Sequence, residues 1–187
     1  ADEYGETVGL DVEILTEALA RIGYKPNYQL IDWEKKKDML ASGELDCVMG
    51  SFTMTGREAE YRWACPYLAS RQVVAADPES DIYTLADLEG KVVAVQSTTK
   101  PEGILLNRTN ENVPQIKELY SFSDRSFLNP ALVEGLVDAI AAHESSLLTY
   151  EKDYGVTYRI LDEPLLEVGL GTAFDINDTR GIDVKLT

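Results

Sequence analysis

Between Gly9 and Gly23 the apolar positions recur with the period of a helix. Ile14, Leu15, Ala18, Leu19 and Ile22 share one face, and Glu13, Glu17 and Arg21 share the other. Gly23 marks the end, because a glycine just past the last turn takes the left-handed conformation that closes a helix. A short strand is predicted over residues 28–31 and a second helix over 34–42, closed by Gly43. The apolar run 45–49 reads as a buried strand, and 58–63 has helical character. Residues 66–76 then read as extended and 78–81 as a turn-rich patch. A strand is predicted over 91–95, a helix over 101–106 with its proline at a permitted early position, a helix over 145–152, a strand over 156–161, and a helical start at 183–187. The succession helix, strand, helix, strand predicts a parallel α/β sheet, with ligands met at the carboxyl ends of its strands.

Two such strand ends carry similar chemistry. After the run 45–49 stands Gly50-Ser51-Phe52-Thr53-Met54-Thr55-Gly56-Arg57, a crest of hydroxyls, backbone N–H groups and one guanidinium. It suits a carboxylate, since N–H groups at a helix start attract anions and a planar guanidinium grips two oxygens at once. A polar turn with an exposed arginine accounts for the same residues equally well. Gln96-Ser97-Thr98-Thr99 repeats the arrangement between the strand at 91–95 and the helix at 101–106. Gly43-Glu44-Leu45-Asp46 and Gly135-Leu136-Val137-Asp138 share a Gly-x-x-Asp spacing, with Ser51 and His143 each five residues beyond the aspartate.

Charge narrows the partners. Against 17 basic residues the chain has 33 acidic ones, and a net charge of −16 argues against nucleic acid or an anionic membrane. Hydrophobic residues make up 44%, enough to bury a core as one domain or two small lobes. No run is long and apolar enough to span a bilayer, and no signal peptide is present. The opening Ala1-Asp2-Glu3 reads as a processed or trimmed start. With a single histidine and no Cys/His cluster, no metal site is expected, and no cofactor motif is present. Cys47 and Cys65 sit among apolar neighbours, where cysteine packs as a small hydrophobe; pairing is the alternative if the chain is exported.

The run from Gly43 through Gly50-Ser-Phe-Thr-Met-Thr-Gly-Arg57 to Trp63-Ala-Cys-Pro-Tyr67 resembles the signature of family 3 extracytoplasmic solute-binding proteins, the amino-acid-binding group. Gly9-Leu-Asp-Val12 and 88–99 resemble the same family's first helix and the opening of its second lobe. The resemblance implies a periplasmic-binding-protein-like α/β fold, two lobes with mainly parallel sheets and a hinge, truncated at both ends. The lobes would be 1–69 plus 165–187 and 70–164. It also implies an extracytoplasmic location in the periplasm or at the cell surface, a small-molecule ligand such as an amino acid, and a membrane transporter or attached signalling domains as partners. A sensor domain of a membrane histidine kinase is the alternative setting.

On the same resemblance, Ser51, Thr53 and Arg57 from the first lobe and Ser97, Thr98 and Thr99 from the second hold the ligand's carboxylate, and Phe52 is a further ligand-binding residue. Trp33 flanks its side chain, and His143 or Glu144 meets its amino end. Two departures stand out. The family's aspartate for the ammonium is replaced by His143-Glu144, so that Glu144 takes over, or His143 accepts as neutral imidazole, or the ligand has no α-ammonium. Arg57 follows Thr55 by two residues where the family spaces them by three. No enzyme is expected; the rival is a cyclohexadienyl-dehydratase-like lyase with Glu144 as general acid.

Overall fold

The computed structural model describes residues 7–64 and 66–179, so the pairing of Cys47 with Cys65 and the helical start at 183–187 lie outside the described residues. The chain divides into two units, Ala1–Ala69 with Gly169–Thr187, and Ser70–Val168. The return expected at 164/165 falls inside the second unit, where buried Leu165 donates its N–H to the Gln72 carbonyl at 2.8 Å.

In the first unit α1 (Leu10–Arg21) forms where the apolar stripe lies, and Leu15 is its buried residue. A short 3-10 turn, Trp33–Lys35, is started by Asp32, whose side chain accepts from the Glu34 N–H, and runs into α2 (Lys36–Ser42). Gly43 closes α2 in the left-handed region at φ 76°. Residues 28–31 are not a strand: Leu30 is fully exposed, and the Tyr28 hydroxyl donates to the Val12 carbonyl on α1. A strand needs a partner edge, and none pairs with this segment among the described residues.

The run 45–49 is likewise reduced to one bridge, Val48 to Ala173, and Thr53 bridges Leu170. Nor is 58–63 helical. Its turns end in β1 (Arg62–Trp63), which pairs antiparallel with β8 (Ala173–Phe174). Ring packing wins here over local helical preference: Phe52 lies 5.0 Å from Trp63 and 5.2 Å from Tyr61, centroid to centroid, and all three leave water together. Gly171 is required beside them, because a Cβ there would come within 2.9 Å of the Trp63 ring.

The second unit holds a mixed sheet in the order β4-β3-β5-β2-β6, with β7 also on β2. Its strands are β2 (Leu68–Ala76), β3 (Val92–Gln96), β4 (Glu118–Phe122), β5 (Ala139–His143), β6 (Arg159–Ile160) and β7 (Leu166–Leu170). Parallel pairing joins β3 to β4 and to β5, whereas β2 runs antiparallel to β5 and β6. The alternation of side chains across the central strands sorts the core into two layers. Val74, Ala76, Val93, Val95, Ala139 and Ala141 face Leu85, Leu88 and Ile104. Val73, Ala75, Ala94 and Ile140 face Leu128 and Leu132 of α4 (Leu128–Val133) and Leu147 of α5 (Glu144–Tyr154). Between β3 and β4 lies α3 (Lys100–Asn107), with Pro101 in its first turn.

Candidate ligand-binding site

In the first unit the crest after Val48 is organised by a residue that composition and motif reading left aside. Asp11, in the first turn of α1, accepts from the Ser51 N–H at 2.7 Å and from the Ser51 hydroxyl at 3.3 Å through one oxygen. Its other oxygen accepts from the Tyr67 hydroxyl at 2.9 Å. Ser51 has φ 53°, a conformation that costs energy for any residue with a Cβ, and its two bonds to Asp11 hold it there. Burial raises the Tyr67 phenol above its ordinary pKa, and the adjoining Asp11 charge adds to the effect.

Around this hub the structure brings together Trp33, Phe52, Thr53 and Arg57. Phe52, expected at the ligand, is instead a core ring, 1% exposed, with Trp33 edge-on at 5.0 Å. Thr53 is also buried. Arg57 is half-buried, its guanidinium 5.4 Å from the Phe52 ring centroid and one nitrogen 3.4 Å from the Thr53 carbonyl. Its own carbonyl accepts from the Trp63 indole at 3.0 Å. Burial lowers the Arg57 pKa from its ordinary value, with the Glu60 charge opposing, and the group stays cationic. The helix start expected after this crest is absent, so its donors are turn amides: the Arg57 N–H bonds back to the Met54 carbonyl and the Gly56 N–H to Glu58.

In the second unit the remaining candidates stand at the carboxyl ends of neighbouring parallel strands. Ser97, Thr98 and Thr99 join β3 to α3, and His143 and Glu144 join β5 to α5. Ser97 is buried and donates its N–H to the Phe122 carbonyl. Thr98 repeats Ser51: φ is 57°, and its N–H is held at 2.7 Å by a carboxylate of its own unit, Glu102. The Thr99 hydroxyl donates to the Gln96 carbonyl at 2.6 Å, and Thr99 is the residue that precedes α3.

His143 is held from β2 on both sides of its ring. Nδ1 lies 3.0 Å from the Ser70 hydroxyl and Nε2 lies 2.7 Å from the amide nitrogen of buried Gln72. With the Gln72 amide nitrogen donating, Nε2 is the accepting nitrogen of the ring. The ring makes no side-chain cap on α5, although α5 begins at Glu144 rather than at Ser145. Glu144 forms an ion pair with Arg71 at 3.1 Å, and Arg71 also donates to the Asp162 carbonyl. Ser70, Arg71, Gln72, Asp11 and Glu102 all escaped the sequence reading. Only Asp11 carried a signal, as part of Gly9-Leu-Asp-Val12. Among the described residues no cluster of His, Cys, Asp or Glu could hold a metal ion, and no helix is long and apolar enough to cross a membrane.

Residues 1–146 match the bacterial extracellular solute-binding proteins, family 3. The chain belongs to this family. Over 180 residues, 95% of the chain and 67% of the relative, it is 25% identical to the probable amino-acid-binding protein YxeM of Bacillus subtilis. It is 32% identical over 100 residues to the L-cystine-binding protein TcyA of the same organism, covering 53% of the chain and 37% of that relative. The chain thus spans from about a third to two thirds of the length of these curated relatives. A solved ancestral arginine-binding protein bound to arginine superposes with a TM-score of 0.84 at 25% identity, over 95% of this chain and 78% of that one. The family 3 fold is therefore the α/β periplasmic-binding-protein one, and the family is one of solute binders.

Proposed function

We propose that this family 3 chain binds a small carboxylate-bearing solute, most simply an amino acid. Uptake through a membrane ABC transporter, from outside the cytoplasm, is the setting supported by its likeness to the probable ABC transporter extracellular-binding protein YckB of Bacillus subtilis and to a solved substrate-binding protein of an amino acid ABC transporter. The observation that carries the reading is Arg57: a half-buried guanidinium held against the Thr53 carbonyl and the Phe52 ring in the crest at 50–57, in a chain of a solute-binding family. A partly desolvated guanidinium gains from an anion that takes two of its N–H groups. On the family resemblance Ser51 and Thr53 join Arg57 at the carboxylate, Ser97 to Thr99 serve it as well, Trp33 flanks the side chain, and His143 or Glu144 serves the amino end.

A thermal-shift screen of amino acids and small carboxylates tests this. A ligand at about 100 times its Kd stabilises the folded state by about 2.7 kcal/mol, which raises Tm by roughly 5–10 °C for a chain of this size. Arg57→Ala should abolish most of that shift. A full shift in the variant would show that the anchor is elsewhere, and no shift with any amino acid would remove the reading.

A further inference from the structure

Of the buried side-chain nitrogens and oxygens among the described residues, the indole N–H of Trp33 has no hydrogen-bond acceptor within the chain. Buried polar groups are paired as a rule, and an exception calls for a cause. The second tryptophan obeys the rule, since Trp63 donates to the Arg57 carbonyl at 3.0 Å. The orphan lies at the crest already described: its ring meets Phe52 edge-on at 5.0 Å, and Phe52 stands between Ser51 and Thr53.

One cation lies against this ring. Lys36, at the start of α2, is 5% exposed, with its ammonium 4.8 Å above the Trp33 ring and 3.0 Å from the Trp33 carbonyl. The face of an indole is negative and its N–H edge positive. The ammonium therefore satisfies the face, while the edge still presents a donor. A guanidinium or ammonium at the end of a ligand would meet a donor and the positive edge of the ring, with nothing there to accept its protons. A carbonyl-type oxygen would meet both favourably.

We propose that Trp33 donates its indole N–H to an sp2 oxygen at the side-chain end of the ligand, so that the chain selects amino acids ending in a carboxamide or carboxylate over those ending in a cation or hydrocarbon. The inference rests on the solute-binding reading above. The nitrogen is closed to solvent, so the acceptor reaches it only with a local opening of the side chains around the ring.

The chain contains two tryptophans, so a nitrogen–proton correlation spectrum shows two indole peaks, assigned by Trp33→Phe. L-glutamine, L-glutamate, L-leucine and L-arginine are titrated separately into the chain. L-glutamine or L-glutamate should move the Trp33 peak downfield and leave the Trp63 peak as the internal control. Trp33→Phe, which keeps a ring and loses the donor, should weaken that ligand about 5- to 30-fold, the range of one hydrogen bond, and change Tm little. If L-glutamine or L-glutamate binds with the Trp33 peak unmoved and with undiminished affinity in Trp33→Phe, the assignment is wrong. Binding of L-arginine or L-leucine alone overturns the selectivity while leaving solute binding intact; binding of no amino acid overturns both.

Discussion

The Asp11 carboxylate accepts the backbone N–H of Ser51 at 2.7 Å, across forty residues of chain, and so holds a non-glycine residue at positive φ. The first crest owes its shape to a charge on α1 and not to the local sequence around Ser51. Removing that carboxylate leaves one amide and two hydroxyls without their acceptor. Asp11→Ala should therefore lower the unfolding free energy by about 1–3 kcal/mol, and Asp11→Asn by less, since its carbonyl oxygen still accepts. Urea denaturation measures the order; a variant Asp11→Ala as stable as the parent would show that the crest stands without it.

Thr98 gives the opposite prediction. It is exposed, β-branched and at φ 57°, where glycine is the residue without strain. Thr98→Gly keeps the backbone N–H that Glu102 accepts. It should raise the unfolding free energy, by up to about 1 kcal/mol after the entropy of glycine in the unfolded chain is set against the strain relieved. Loss of stability in that variant would mean that the threonine side chain contributes packing or bonds that outweigh its conformation.

Phe52 separates folding from binding. Fully enclosed and in contact with the rings of Trp33, Tyr61 and Trp63, it should cost about 3–5 kcal/mol when cut to alanine. The expected result is a lower Tm with or without ligand. A variant Phe52→Ala of unchanged Tm but weakened ligand binding would return the ring to the ligand site, where the family resemblance had put it.

Alkaline pH should destabilise the fold, and the sign follows from Tyr67. Burial, then the Asp11 charge and hydrogen bond, raises its pKa in the folded chain above the value of about 10 that an unfolded tyrosine has. Below pH 10 both states keep the proton and this contribution to stability is fully present. Above it the unfolded chain ionises first, so stability falls as pH rises toward the folded value. Tyr158, raised by burial with Tyr150 and Glu151 adding to it, acts in the same direction. Chemical denaturation between pH 8 and 11 should show this decline, and Tyr67→Phe should make it shallower; an unchanged slope would place the ionisation elsewhere.

Elements whose pattern is local were legible in the chain itself. The stripe from Ile14 to Ile22 gave α1, left-handed Gly43 closed α2, and the apolar run at β3 with Pro101 behind it gave a strand and a helix in the right places. The crests at 50–57 and 96–99 were legible too, because hydroxyls and glycines cluster there in sequence, and the family could be read from the same motifs.

What the chain alone did not decide was anything that depends on a partner far along it. Residues 28–31 meet no neighbouring edge among the described residues, 45–49 reach β8 through the single bridge at Val48, and 58–63 gave up helical character to pair with β8 and to pack its rings on Phe52. The ends of β2 and β5 show the same limit. Ser70 and Gln72 are ordinary residues until antiparallel register sets them on either side of His143, and Arg71 is an ordinary surface cation until it meets Glu144. Spacing along a sequence fixes which side chains share a face of one element. Which hydrogen-bond donor meets which acceptor is settled by where the elements are brought together, and that is decided by the burial of the whole core.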